Sequence, residues 1–416
     1  MKVLCVHNFY GSEAPSGENI AYNTEVALLR RHGCQVLEFT TSSDPLRRHR
    51  FVGPVVGAVS CLWNPLALRN LRQVLLAERP DVMHVHNVFP RLSPGVLAAS
   101  AGTSTATVLT LHNYRVACAA GTATRNGGPC RLCIDDVSVR NAIRHRCYRG
   151  SALATLPVAG MIAVHRWLDT LAKNVDGFIA LTEFQRTLLS GPGLLPRDRI
   201  HVRPNFMLGR QVQLPLAERD RYAAFVGRLS LDKGASVLLK AWSTWGPQAP
   251  RLMLVGDGPE RASLQALSAS LGLEGRVEFV GQQPAAVALG LIQRARLIVL
   301  PSVGLEGFPM VIREAFACGV PVVAADLGGL PQIVEGSGGG EVFKAGDSDA
   351  LAHTLVRLWD DEERLLRMSR AAANAFESAY SETAAYTRLM DIYAAAQASR
   401  QGSGLTHGLA QHPQHE

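Results

Sequence analysis

Short, nearly continuous apolar runs recur along the chain. They lie at Val3–Val6, Val36–Phe39, Val82–Val85, Thr107–Leu111 and Gly177–Leu181 in the first half. In the second half they lie at Ala223–Val226, Leu252–Val255, Val277–Val280, Leu297–Leu300 and Val320–Ala325. Runs that are apolar on both faces belong to strands covered on both sides, and helical spacing lies between several of them. Ile20, Thr24, Ala27 and Leu28 form one such spacing, after the Gly11–Gly17 loop and before Gly33, which predicts strand, glycine loop and a helix over Asn19–His32. Strands alternating with helices imply an α/β fold with parallel sheets and right-handed crossovers.

The pattern starts afresh after Arg203-Pro204-Asn205 and the polar stretch Leu214–Arg221. A boundary near 205–220 follows, with a Rossmann-like unit over 1–205 and a second over 206–380. Residues 381–398 are expected as a C-terminal helix packing back on the first unit, and the Gly/Gln/His-rich 399–416 as a disordered tail. In doubly wound sheets ligands bind beyond the carboxyl ends of the strands, so a cleft between such units is the expected ligand site.

Composition adds a charge asymmetry. The net charge is +7, yet residues 1–200 carry 22 Lys and Arg against 13 Asp and Glu, whereas residues 201–416 carry 20 against 22. A basic first half fits an anionic lipid surface or a phosphorylated ligand as well as a plain solvated face. Basic segments interleaved with aromatics are missing from it, which disfavours a nucleic-acid binder. Met1 leads directly into a strand without a secretory pattern, so the expected location is cytoplasmic. The weakly polar stretch Ser151–Val164 is interrupted by His165 and Arg166 and falls short of a bilayer span.

The richest segment for chemistry is Glu306-Gly-Phe-Pro-Met-Val-Ile-Arg-Glu314, set between two apolar runs. It places Glu306 in a strand-to-helix turn and Glu314 about one turn into the following helix; Gly307, Phe308 and Pro309 lead into that helix, whose first main-chain N–H groups are available to diphosphate oxygens. Arg228 and Lys233 flank another such turn, where Gly227 and Gly234 permit close backbone approach, and together they make a cationic clamp. Gly256-Asp-Gly-Pro259 begins like a dinucleotide fingerprint, but Arg261 stands at its third glycine position, so a tight turn beside the nucleotide is the economical reading. Gly17 precedes the first helix, where main-chain N–H groups could approach a phosphate or an acceptor. His112 ends a strand. His84 and His86, two residues apart, share one strand face. Asp347-Ser-Asp349 reads as a helix cap rather than a metal motif. Cys118, Cys130, Cys133 and Cys147 form C-x11-C-x2-C-x13-C, which suits either a tetrathiolate zinc site or buried thiols.

The second half resembles the retaining glycosyltransferases of family 4, through Phe225-Val-Gly-Arg-Leu-Ser-Leu-Asp-Lys-Gly234, Leu254-Val-Gly-Asp-Gly-Pro259, Val280-Gly281 and Pro301–Val334. The first half is similar to bacterial members that build surface polysaccharides, through Pro15-Ser-Gly-Glu18, His84-Val-His-Asn87, Leu109-Thr-Leu-His-Asn-Tyr114 and Arg203-Pro-Asn-Phe206. The resemblance spans about residues 1–395. It implies the GT-B architecture, two facing Rossmann-like domains, and transfer from a nucleoside diphosphate sugar to a saccharide or lipid-linked saccharide. It assigns Glu314 to the ribose hydroxyls, Glu306 to the neighbourhood of the transferred sugar, and His112 to the donor sugar. No catalytic cofactor is implied, and a peripheral contact with the inner leaflet is consistent with the basic half. Ser16 and Gln332 depart from the Gly and Glu that relatives often carry. The rival expectations are a sugar-nucleotide epimerase of the same fold and a catalytically silent nucleotide-sugar-binding subunit.

Overall fold

A computed structural model of the 416-residue chain describes residues 1–11, 16–48, 52–191 and 193–408, excepting the side chains of 403–408. The chain divides into two compact units. One comprises residues 1–121, 131–204 and the described part of 385–416; the other comprises 122–130 and 205–384.

The first unit holds strands β1 (Lys2–Phe9), β2 (Gln35–Ser42), β3 (Val82–Asn87), β4 (Ala106–Leu111), β5 (Gly177–Ala180) and β6 (Ile200–Val202). They form one parallel sheet in the order β2-β1-β3-β4-β5-β6. Every residue of β3 and β4 is buried, which explains why those runs show no alternation. Each apolar run of the sequence falls on a strand, although Leu181 lies one residue past β5 and Val320-Pro321 precede the strand Val322–Ala325, and the helix expected over Asn19–His32 spans Gly17–Arg31. The strand β6 escaped the pattern because only Ile200 of its three residues is fully buried.

The second unit repeats the plan with β7 (Tyr222–Val226), β8 (Arg251–Val255), β9 (Val277–Gly281), β10 (Leu297–Leu300), β11 (Val322–Ala325) and β12 (Gly340–Phe343). The order is β9-β8-β7-β10-β11-β12, again all parallel. The chain winds one way from β7 to β9 and the other way from β10 to β12, so the topological switch point falls between β7 and β10. Its core gathers Trp242, Leu238, Leu252, Leu254, Leu297 and Leu355. Residues 122–130, although inserted in the first half of the sequence, form a small antiparallel hairpin counted with this unit, Thr124 and Arg125 pairing with Pro129 and Gly128.

The last helix runs Glu382–Gly408. From Ala385 it belongs to the first unit, where Arg203 donates to the Ala385 carbonyl (3.0 Å) and the Tyr393 hydroxyl meets His84 Nδ1 (2.8 Å). The expectation of a disordered tail from Ser399 differs from the structure: the helix continues through 399–408, and residues 409–416 lie outside the described residues. Asp347 caps its helix as expected, accepting from the Ala350 N–H at 3.0 Å.

Candidate active site

In the second unit, the loops leaving β7 and β10 carry the chemistry, at the switch point where such folds bind ligands. Lys233, seven residues beyond β7, reaches Glu306, six beyond β10. Its Nζ lies 2.6 and 2.7 Å from the two carboxylate oxygens, and the Ser302 hydroxyl donates to Oε1 at 2.7 Å. The Lys233 and Glu306 side chains are 25% and 13% exposed, enough for a ligand to meet both. The backbone explains how these loops come so close. Gly234 has φ +69, and a Cβ there would stand 1.9 Å from the Pro301 carbonyl oxygen. Asp232 locks the second loop by accepting from the N–H groups of Val303 and Gly304 at 2.9 and 3.0 Å. The tight-turn reading of Gly256 agrees with its φ of +139 and with the Gly227 carbonyl oxygen 1.9 Å from where its Cβ would be.

Phe308 and Pro309 are buried and lead into the helix Met310–Ala317, whose N-terminus follows the Glu306 loop. Glu314 lies in that helix, partly buried. Burial raises its carboxyl pKa, opposed by the Arg313 guanidinium 3.8 Å away. Arg228 is exposed on the β7 loop. Thr124 of the 122–130 hairpin lies against this constellation, its hydroxyl 3.0 Å from the Cβ position of Gly304.

In the first unit, β3 and β4 deliver a histidine cluster to their carboxyl ends. His86 Nδ1 lies 3.0 Å from His112 Nε2, and the rings stack at 5.2 Å. His84, expected to be structural or acceptor-side, is enclosed between Tyr393 and Thr110, with 2.8 Å to each hydroxyl. Burial lowers all of these pKa values. It holds His112 at about 3, aided by His7 and Arg203, and His7 at about 4. Burial holds His84 and His86 well below the usual imidazole range. They are neutral at pH 7, so His112 can donate or accept a hydrogen bond but is no source of positive charge.

Beside them, Glu18 accepts from the Asn113 amide at 2.6 Å, and burial raises the Glu18 carboxyl pKa against the pull of Asn113 and Arg115. Of the glycine motif before the first helix, Pro15 lies outside the described residues, while Gly17 is exposed at the helix start. His86 and His112 line a cavity of about 460 Å³ whose walls are mostly apolar, among them Phe89, Leu97, Met161 and Leu195. His86 is 4% exposed, and its Nε2 has no hydrogen-bond partner among the described residues.

The sequence thus pointed to Glu306, Lys233 and His112 but missed Ser302, Glu18, Asn113 and the hairpin. Ser302 could have been found from its place directly after Pro301 at a strand's carboxyl end. Glu18 lies within a quoted motif, but its pairing with Asn113 is a contact over 95 positions that no local pattern announces. Spacing alone left the four cysteines open to zinc or to burial as thiols. Among the described residues no three His, Cys, Asp or Glu side chains are placed to hold a metal ion. Cys133 and Cys147 pack in an apolar cluster with Phe89 and Met161; Cys118 belongs to the first unit and Cys130 to the hairpin counted with the second. The eight cysteines form no disulfide.

Comparison with known proteins places both units in one context. The family profile "Glycosyl transferase 4-like domain" matches residues 21–205 and "Glycosyl transferases group 1" matches 210–375. Among curated proteins, D-inositol 3-phosphate glycosyltransferase of Corynebacterium aurimucosum is 34% identical over 53% of this chain and 51% of its own length. The chain thus spans about half the length of the inositol-type relatives it matches first. N-acetyl-alpha-D-glucosaminyl L-malate synthase of Bacillus anthracis is 24% identical over 83% of this chain and 86% of its own. Among solved structures, Anabaena Alr3699/HepE in complex with UDP superposes with a TM-score of 0.64 at 19% identity, covering 94% of this chain and 99% of that one. The lipopolysaccharide outer core galactosyltransferase WaaB gives 0.62 at 17%, covering 94% and 99%. At these identities the structural likeness establishes the fold.

Proposed function

The chain belongs to the family-4 glycosyltransferases of GT-B fold, and from that premise we propose that it moves a sugar from a nucleoside diphosphate sugar to a hydroxyl of a saccharide acceptor, with retention at the anomeric carbon and without a catalytic metal. The observation that carries the reading is the Lys233–Glu306–Ser302 constellation at the β7/β10 switch point. As the bond to the anomeric carbon breaks, the departing diphosphate gains charge. Lys233 and the exposed Arg228 supply fixed cations for it, and the first N–H groups of the Met310–Ala317 helix supply aligned dipoles. The half-buried Glu314 accepts hydrogen bonds from the ribose hydroxyls. Glu306, tied to Lys233, keeps the ammonium aimed and presents its carboxylate to the sugar. On this reading the leaving phosphate takes the proton of the incoming hydroxyl on the same face, and His112, neutral, positions the sugar through a hydrogen bond.

The acceptor in this reading is a lipid-linked or growing surface saccharide, handled at the inner face of the cytoplasmic membrane. Two features support it: the basic excess of residues 1–200, and the apolar-walled cavity at His86 and His112, which suits an acceptor with an apolar portion. UDP is the first donor nucleotide to test, since the Anabaena relative was solved with it.

The test is a thermal-stabilisation screen with UDP-, GDP- and ADP-sugars, repeated with Glu314→Ala. Because a ligand that binds only the folded state raises stability by mass action, one nucleotide class should shift the transition, and the shift should vanish in the variant. No shift with any donor would overturn the donor-site assignment.

A further inference from the structure

Most apolar side chains of the first unit are buried in its sheet and helix faces, but two neighbouring helices break that rule. The helix Val52–Leu62 leaves Val52, Val55, Val56 and Val59 in solvent, spaced by three and four residues and therefore on one face. Val52 and Val59 are 63% and 62% exposed. The stripe continues into Trp63 and then Leu66. The helix Ala152–Trp167 does the same with Leu153, Leu156, Val164 and Trp167; Leu153 and Trp167 are 80% and 81% exposed.

These helices pack on each other. Cys61 Sγ lies 3.8 Å from the Pro157 carbonyl oxygen, Trp63 stacks on His165 at 5.3 Å, and the Leu62 side chain comes within 3.1 Å of the Cβ position of Gly160. Scattered exposed apolar residues need no explanation, but two adjoining stripes with a tryptophan on each form a patch that water alone does not favour.

Charge identifies what covers it. Residues 45–77 and 137–168, which contain both stripes, include no Asp or Glu. They do carry exposed arginines: Arg47, Arg48, Arg69 and Arg72 in the first, and Arg140, Arg144, Arg146 and Arg149 in the second. Apolar stripes with exposed tryptophans, on segments whose own Asp, Glu, Lys and Arg residues are all arginine, are the chemistry of a surface that rests in the interface of an anionic bilayer. Among the described residues no helix is long and apolar enough to cross one.

We propose that the Val52–Leu62 and Ala152–Trp167 helices dock this protein on anionic lipid, their valine, leucine and tryptophan side chains entering the headgroup boundary while the arginines meet lipid phosphates. The inference deepens the membrane part of the proposed function, and it stands or falls separately from nucleotide-sugar transfer. The Ala152–Trp167 helix also lines the cavity from its other side, through Met161 and Ile162. Docking would therefore hold the cavity close to the surface from which a lipid-linked acceptor comes.

The full chain is sedimented with vesicles of phosphatidylcholine containing roughly one-third phosphatidylglycerol, and with pure phosphatidylcholine vesicles. Binding to the anionic vesicles is expected, weakening as salt rises, with a blue shift of tryptophan emission and quenching by brominated acyl chains. The double variants Val55→Asp/Val59→Asp and Leu153→Asp/Trp167→Asp should each lower the vesicle affinity by about tenfold or more. Both should keep the stabilisation by nucleotide sugar, which reports their folding and the donor site independently. Three results would overturn the proposal: wild-type protein remaining in the supernatant with anionic vesicles, Asp variants that bind as wild type, or a dimer of the wild-type chain that the same variants dissolve.

Discussion

Replacing Lys233 by alanine separates what this side chain does for folding from what it does for the ligand. Its ammonium sits 2.6 and 2.7 Å from the Glu306 oxygens, with one quarter of its side chain exposed. A hydrogen bond to a charged group is worth about 1.5–3 kcal/mol, but solvent access discounts this pair. Glu306 also keeps its bond from Ser302. The net folding cost is therefore about 1 kcal/mol, or roughly 2–4 °C in Tm for a unit of this size. The ligand loses more. A diphosphate deprived of its positioned ammonium forfeits about 2–3 kcal/mol, which corresponds to a Kd raised roughly 30- to 150-fold. Calorimetric titration with the nucleoside diphosphate, alongside thermal unfolding of the free protein, reads the two effects separately. Lys233→Ala with a Kd within about threefold of wild type would refute the argument that the Glu306-held ammonium serves the diphosphate.

Other expectations follow from the same geometry. Gly234→Ala or Gly256→Ala forces a Cβ to within 1.9 Å of a carbonyl oxygen at a positive φ, so each should cost about 3 kcal/mol or more in urea unfolding. A loss under about 1 kcal/mol would mean the loops are not so tightly apposed. Glu25→Ala leaves the Arg203 guanidinium, paired at 2.9 Å and 4% exposed, buried without its carboxylate. A destabilisation of about 3–5 kcal/mol is expected by the same method.

The buried histidines give a pH dependence. In the unfolded chain His7 and His112 take up protons near 6.5, whereas in the folded unit burial delays this to about 4 and about 3. Their contribution to stability is thus present above 6.5 and is lost as pH falls below it, with His84 and His86 acting in the same direction. The urea midpoint should drop between about pH 7 and about pH 5, and a flat profile would contradict the burial of the cluster.

Much of the fold was legible because parallel strands covered on both faces write themselves as unbroken apolar runs, and the runs expected over Leu252–Val255 and Leu297–Leu300 fall within strands Arg251–Val255 and Leu297–Leu300. The strand Gly340–Phe343 was not legible. Two glycines precede it and a buried Glu341, paired with Arg357, interrupts its apolar character. At the site, Glu306 and Lys233 stood out because glycines and a strand-to-helix turn surround each in sequence. The contact between them spans 73 positions and depends on Gly234 passing the Pro301 carbonyl, a property of the folded loops alone. The cysteine spacing left zinc and buried thiols open, because C-x2-C is compatible with either, and it did not announce that Cys133 packs beside Phe89 and Met161.

The central claim is retaining transfer from a nucleoside diphosphate sugar, and the configuration of the product tests it most directly. With the donor identified by stabilisation, the sugar released or transferred is followed by NMR of its anomeric centre before mutarotation, with and without a chelator. The account predicts release of the nucleoside diphosphate and a first-formed product with the donor's own anomeric configuration, at a rate the chelator leaves unchanged and Lys233→Ala abolishes. A first-formed product of inverted configuration, or a donor that binds and is never turned over with any acceptor or water, would contradict it.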